Sequence, residues 1–352
     1  MIDFSEFSLF VNFAIFAAGA VVVWVAGTKL SGYVDTFADR TNLGHAFAGA
    51  LFLGAATSLP ELATTLTASL SGATKLAGTN LLGGIAMQVA VLAAVDAIFL
   101  RGKALTAFSP RASLLMIGVA SIGLLALTSA AVASGELFSF AGIGIWPIVL
   151  LVAYGATLWV VYRYERVARW EPKGEVTSPP QSARDLKQVR EERFRDVSTA
   201  RIAGYFAIAS FAVLCGGFLV AKTGEAIAAQ SGLGQNFVGA TLVAIATSLP
   251  EVSTTISAVR FGSYSMAAAN ILGTNSLSIA LFLPAELASS SGPVFDALDP
   301  SASFLASMGI VVTSLYLWGI LERRDETILG MGYDSIAVLV VYFAGIGVYY
   351  TL

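Results

Sequence analysis

Moved along itself by 190 residues, the sequence lays 41–90 over 231–280 without a gap, and about 20 of the 50 positions are identical. The matching pairs include Gly44/Gly234, Gly49/Gly239, Thr64/Thr254, Gly72/Gly262, Asn80/Asn270 and Gly83/Gly273. One block, Thr57-Ser58-Leu59-Pro60-Glu61, returns letter for letter as Thr247-Ser248-Leu249-Pro250-Glu251. Self-similarity at a fixed offset means that one structural unit is used twice. Any fold for this chain must place both copies, and must explain a proline and a glutamate in the middle of each copy's apolar run.

Composition says where those runs reside. The chain is 56% hydrophobic and only 12% charged, with a mean hydropathy of +0.77, whereas soluble domains carry about 25% charged residues. A membrane-spanning helix needs about 20 mainly apolar residues. Ten such runs follow one another, near 8–30, 43–70, 73–98, 110–134, 143–163, 202–224, 233–258, 263–290, 301–322 and 334–351. Numbering the connections alternately puts eighteen Lys and Arg on one side of the membrane and only Lys75 and Lys222 on the other. Basic loops stay in the cytoplasm. Both termini are therefore expected outside, the basic 164–200 connection inside, and the chain in the cell membrane. Asp3 and Glu6 precede the first run, and no basic residue comes before Lys29. That is not the pattern of a secretory signal, so the first run is expected to remain as a span.

Five spans separate the two copies, and five is odd. The second copy must enter the membrane from the opposite face, the inverted-repeat plan of secondary transporters, whose sites form near the midplane from interrupted helices. The expected fold is all-α and polytopic, ten transmembrane helices in two inverted five-helix repeats. Residues 1–163 form the first repeat, 164–200 a cytoplasmic linker with a possible interfacial helix, and 201–352 the second repeat.

The repeated block carries the chemistry. An acid at the bilayer centre costs roughly 2.5–3.5 kcal/mol on the insertion scale, so Glu61 and Glu251 are functional candidates by position. On a helix Thr57, Ser58 and Glu61 share one face, as do Thr247, Ser248 and Glu251. Pro60 and Pro250 lack an N–H, which leaves the carbonyls of Ala56 and Ala246 without helical donors and can free those of Thr57 and Thr247. Calcium takes about 6–8 oxygens from carboxylates, carbonyls and water. Two bidentate glutamates and two carbonyls supply six, and the charges cancel. Protons or sodium ions must then fill the site on the return stroke. Asn80, Gly83, Gly84 and Gln88 stand at three- and four-residue steps in the next span, matched by Asn270, Gly273, Thr274 and Ser278 in the second copy. Asn275 has no polar counterpart, since Ile85 occupies the matching place.

These residues resemble the cation/calcium antiporter superfamily and, within it, the sodium/calcium exchanger branch. The likeness rests on Gly49 through Glu61, on Asn270-Ile271-Leu272-Gly273-Thr274-Asn275, and on the second copy of each. It implies alternating access, with spans one and six sliding over a core. It implies calcium between Glu61 and Glu251, helped by carbonyls at Thr57 and Thr247, and sodium ligands at Thr57, Ser58, Thr247, Ser248 and Thr274. Three positions depart from the family pattern. Gly84 replaces a small hydroxyl residue, Gln88 an asparagine, and Ser278 an acid or asparagine. Fewer than three sodium ions per calcium are therefore expected, or protons in their place; another divalent cation is the remaining alternative.

Other classes fit poorly. One histidine and one cysteine cannot build a zinc hydrolase site, so no enzyme activity is expected, and no prosthetic group beyond the transported Ca2+ and Na+ or H+. A channel could use paired acids, but inverted repeats with broken helices favour an antiporter. The partners implied are small inorganic cations and the lipid bilayer, with no nucleic acid and no protein partner. His45 reads as an interfacial polar residue, Cys215 as small packing, and Asp96 and Glu286, which are repeat partners, as caps or as acids on an access path. Glu136 and Glu225 are placed at the outer face, where they attract cations weakly under screening.

Overall fold

The computed structural model describes residues 4–41, 45–70, 72, 74–99, 104–108, 111–140, 143–166, 185, 188–189, 192–230, 247–290, 292–323, 326–328 and 330–351. Helices dominate because a lipid-embedded backbone must satisfy its hydrogen bonds within its own segment. The first run forms α1 (Leu9–Thr41). The second is interrupted, as α2 (His45–Ala48), a π turn over Gly49–Leu53, α3 (Gly54–Thr57) and α4 (Leu59–Leu70). Then come α5 (Thr74–Phe99), a 3-10 turn over Leu105–Phe108, and α6 (Ala112–Ser134). A hairpin of β1 (Ser139–Phe140) and β2 (Ile143–Gly144) leads into α7 (Ile145–Arg166).

The second half gives α8 (Thr199–Gln230), α9 (Leu249–Arg260), α10 (Tyr264–Ala280), α11 (Phe282–Ala288), α12 (Val294–Ala297) and α13 (Pro300–Glu322). A second hairpin, β3 (Thr327–Ile328) with β4 (Met331–Gly332), leads into α14 (Tyr333–Tyr349). Each of the ten runs thus contains helix. Seven helices among the described residues are long and apolar enough to cross a membrane, and α2 to α4 make an eighth when their two arms, bent by 48°, are taken together. α14 is shorter, at 17 residues, and α9 has 12. Residues 231–246, where the run of α9 begins, lie outside the described residues, as do most of the 164–200 connection and the side chains of His45 and Glu225.

Repetition in the fold extends beyond the segment where the letters repeat. α6 and α13 each have 23 residues. Each is followed by a residue of positive φ, Gly135 at 65° and Arg323 at 55°. The two hairpins share one register, Ser139 opposite Gly144 and Thr327 opposite Gly332. The acids Asp96 and Glu286 hold both ends of this pattern. Asp96 Oδ1 accepts from the Leu105 N–H at 2.7 Å, and its Oδ2 accepts from the Gly332 N–H at 3.1 Å and the Ser335 hydroxyl at 2.6 Å. Glu286 Oε1 accepts from the Gly144 N–H at 2.9 Å and its Oε2 from the Val294 N–H at 2.7 Å. Each acid caps the short turn that follows it and grips the hairpin of the other half. Capping is therefore what these two residues do.

Packing sorts the helices into two sets. α10 is buried along nearly its whole length and sits in a core with α5, α6 and α13. α1 and α8 lie against each other at the edge. They cross at Gly19 and Gly216, where a methyl on either glycine would lie 3.1 Å from the other's carbonyl oxygen. Their outer faces leave Phe10, Val21, Ile208 and Phe211 exposed, the residue types that lipid solvates.

Candidate cation-binding site

The two copies of the repeated block break their helices in the same way. Ser58 has φ −79° and ψ 0°, and Ser248 has φ −91° and ψ 1°, both in the bridge region between helix and strand. Pro60 and Pro250 follow as second residues of α4 and α9, where a missing N–H costs nothing and the fixed φ suits a helix start. The ladder resumes with Leu62 N–H donating to Ser58 O and Val252 N–H to Ser248 O. Glu61 and Glu251 are the third residues of the new helices. Their carboxylates lie at the positive end of the helix dipole, which favours negative charge.

Both glutamates are buried, Glu61 at 6% and Glu251 at 0% exposure, and Glu61 is the charged group that bears on Glu251. Glu61 Oε1 accepts from Gln88 Nε2 at 2.8 Å, while its Oε2 has no partner. Neither oxygen of Glu251 has one. Thr57 stands beside Glu251, its own proton donated to Gly54 O at 3.1 Å. Ser58 stands beside Glu61, its hydroxyl unpartnered. A small cavity is lined by Glu61, Asn80, Leu81, Gly84, Thr247 and Ser278. Residues from both copies therefore meet at one place.

The other expected residues fall into place around it. Asn270 Nδ2 donates to Thr254 Oγ1 at 3.1 Å, and the Thr254 hydroxyl donates on to the Pro250 and Glu251 carbonyls at 2.8 and 3.1 Å. This chain fixes the amide nitrogen and leaves Asn270 Oδ1 unpartnered. Thr274 Oγ1 is also unpartnered; a methyl on Gly54 would sit 3.2 Å from it. The Ser278 hydroxyl donates to Thr274 O at 3.0 Å. Ser248 is buried at the break itself. Asn275 is fully buried with neither amide atom partnered, but it is not among the residues lining the cavity.

Buried polar groups are nearly always hydrogen-bonded, so this many bare oxygens around two carboxylates mark a candidate site for a cation. The donors are carboxylates, hydroxyls and amides, the ligands of hard cations. Among the described residues no group of three or more His, Cys, Asp and Glu side chains converges. Two contributors were not legible in advance. The π turn over Gly49–Leu53 is marked in the letters only by its flanking glycines. Thr254, an identity of the repeat, orients Asn270. Gly273, among the expected residues, lets α10 meet the segment before α3 at Ala50, so closely that any β-carbon would strike the Ala50 backbone.

The family model described as sodium/calcium exchanger protein matches residues 11–163 and 201–350. No curated protein matches the chain in a sequence comparison. Structures of the sodium-calcium exchanger NCX_Mj resemble the fold. One, soaked with 2.5 mM Na+ and 0.1 mM Sr2+, has a TM-score of 0.70 at 18% identity, covering 97% of this chain and 99% of that one. Another, soaked with 10 mM Na+ and zero Ca2+, has a TM-score of 0.69 at the same identity and coverage. With its helices apolar enough to span a membrane and the family model matched across both halves, the chain is a membrane cation antiporter of the sodium/calcium exchanger family.

Proposed function

We propose that the chain exchanges Ca2+ for Na+ across the cell membrane, binding Ca2+ between Glu61 and Glu251 near the bilayer midplane. One observation carries this reading. Two buried glutamates, each on the first turn of a helix restarted after the same break, lie within electrostatic reach of one another with three of their four carboxylate oxygens unpartnered. A divalent cation neutralises that pair, and an unpaired buried charge is otherwise strongly unfavourable. The carbonyls of Thr57 and Thr247 complete the calcium shell. Sodium takes the flanking oxygens of Thr57, Ser58, Thr247, Ser248 and Thr274. Asn80, Asn270, Asn275, Gln88 and Ser278 line or orient the site.

In this reading the chain crosses the membrane ten times as two inverted repeats, 1–163 and 201–352. Both termini lie outside, and 164–200 lies in the cytoplasm. Gly84 and Ser278 bring fewer anionic and hydroxyl oxygens than the family pattern, which supports fewer than three Na+ per Ca2+. The test is calcium-45 uptake into proteoliposomes with sodium and proton gradients imposed separately. Uptake that requires internal Na+ and vanishes in Glu61→Gln and in Glu251→Gln, with both variants still folded, is the expected result. Uptake at the parent rate in both variants overturns the site, and uptake that ignores Na+ but follows a pH gradient overturns sodium coupling.

A further inference from the structure

The signature of the central site, carboxylates surrounded by bare buried oxygens, recurs where α5, the 3-10 turn after it, α13 and α14 meet. Asp96 and Asp334 both point at Gly332. A methyl on that glycine would lie 3.4 Å from Asp96 Oδ2 and would collide with Asp334 Oδ1. Tyr316, fully buried on α13, lies within electrostatic reach of both acids, and Thr106, 1% exposed, lies against Asp334. Tyr316 Oη has no hydrogen-bond partner, and Thr106 Oγ1 and Asp334 Oδ2 have none at close range, Thr106 reaching only Asp334. Asp96 is bound by three donors, but an ionised carboxylate has about four acceptor positions. No cationic side chain among the described residues is paired with either acid. Arg101, Lys103 and Arg324 lie outside the described residues.

We propose that Asp96, Asp334, Thr106 and Tyr316 form a second site for a hard, oxygen-seeking cation, separate from the transport site. Asp96 already clamps α5 to the hairpin before α14. Asp334 opens the first turn of α14 and touches α13 at Gly319, where its carboxylate fills the space a β-carbon would take. A cation held between them ties three helices of the core together and gives each bare oxygen a partner. The acid pair, phenol and threonine offer oxygen only, so a soft metal is excluded; Ca2+ balances the two carboxylates, and Na+ does so when one of them keeps its proton. Nothing in this proposal depends on which ion the central pair carries.

A binding cation stabilises the folded protein in proportion to its concentration over Kd, so melting reports the site without transport. The experiment uses the Glu61→Gln/Glu251→Gln double variant in detergent, with NaCl, CaCl2 or choline chloride titrated at constant ionic strength. The expected result is a rise in Tm with Na+ or with Ca2+ but not with choline, the responding ion identifying the occupant. Adding Tyr316→Phe or Asp334→Asn should shift the concentration needed by about tenfold or more, the loss of one ligand to a buried charge. Should Asp334→Asn fail to fold, Tyr316→Phe, which removes a single oxygen, carries the test alone. A double variant whose Tm responds to no cation beyond choline overturns the proposal, as does a response that Tyr316→Phe leaves unchanged. Failure of the central reading is seen separately, as exchange activity surviving in the double variant.

Discussion

Ser278 lines the same cavity as Glu61 and Thr247, with its hydroxyl tied to Thr274 O. An acid there would join the central pair without disturbing the α10 backbone. Three carboxylates need one more monovalent charge for neutrality than two do. Ser278→Asp should therefore raise the Hill coefficient for Na+ by about one, since an uncompensated buried charge is costly. Sodium-dependent calcium efflux from proteoliposomes measures it, and an unchanged coefficient would show that Ser278 does not set stoichiometry. Glu61 and Glu251 could be read from the letters alone, because an acid inside an apolar run is conspicuous and its repetition rules out accident. The bond from Gln88 to Glu61 could not, since it joins residues 27 positions apart on different helices. Nor could Asn275 be separated from Asn270. Only packing decides that one amide is held by Thr254 while the other has neither amide atom partnered.

The elements show the same division between what letters declare and what packing adds. The break at Ser58 and Ser248 was legible because proline removes a donor at a known place. The hairpins were not, since two-residue strands have no period to detect, and their acid clamps come from the far half of the chain. Glycines illustrate the point at one helix crossing. Gly273 and Gly83 occupy matching places in the two copies, as do Gly84 and Thr274. Yet Gly273 is pressed on the Ala50 backbone, whereas a methyl on Gly84 would meet nothing within 4 Å. Gly273→Val should cost about 1–3 kcal/mol or more by overpacking and lower the Tm clearly. Gly84→Ala should leave the Tm within a degree or so, an exposed-type change away from packed features. Thermal melts of the two variants in one detergent check this, and equal effects would contradict the crossing at Gly273.

At the scale of the whole molecule, the two copies are alike in sequence and unlike in environment. Thr79, Asn80, Gly83 and Gly84 on α5 are half-buried, while their counterparts Ala269, Asn270, Gly273 and Thr274 on α10 are fully buried. The matching faces of the two copies are thus unequally buried. The edge helices show why. Gly27 on α1 abuts Ser253 on α9, and its counterpart Gly217 on α8 abuts Pro60 on α4, where a methyl would lie 2.5 Å from Pro60 Cγ. Pro60 corresponds to Pro250, so α1 engages its partner three residues further along than α8 does, about 4.5 Å at the helical rise. The Ser257 hydroxyl on Thr28 O at 2.9 Å and the Ser263 hydroxyl on Asp35 Oδ2 at 2.7 Å continue the α1–α9 contact to its end. If transport exchanges the two environments, α1 and α8 slide together by that register, and the Thr28–Ser257 contact must break once per cycle. Thr28→Cys/Ser257→Cys in a Cys215→Ser background should therefore lose exchange by about tenfold or more on oxidation, a bond of 2–4 kcal/mol or so holding one state. Dithiothreitol should restore it, and Thr28→Cys alone should be indifferent to oxidant. Loss of free thiol confirms that the bond has formed. Exchange at the full rate with the bond intact would mean that α1 does not move along α9, and that the asymmetry of the two faces has another origin.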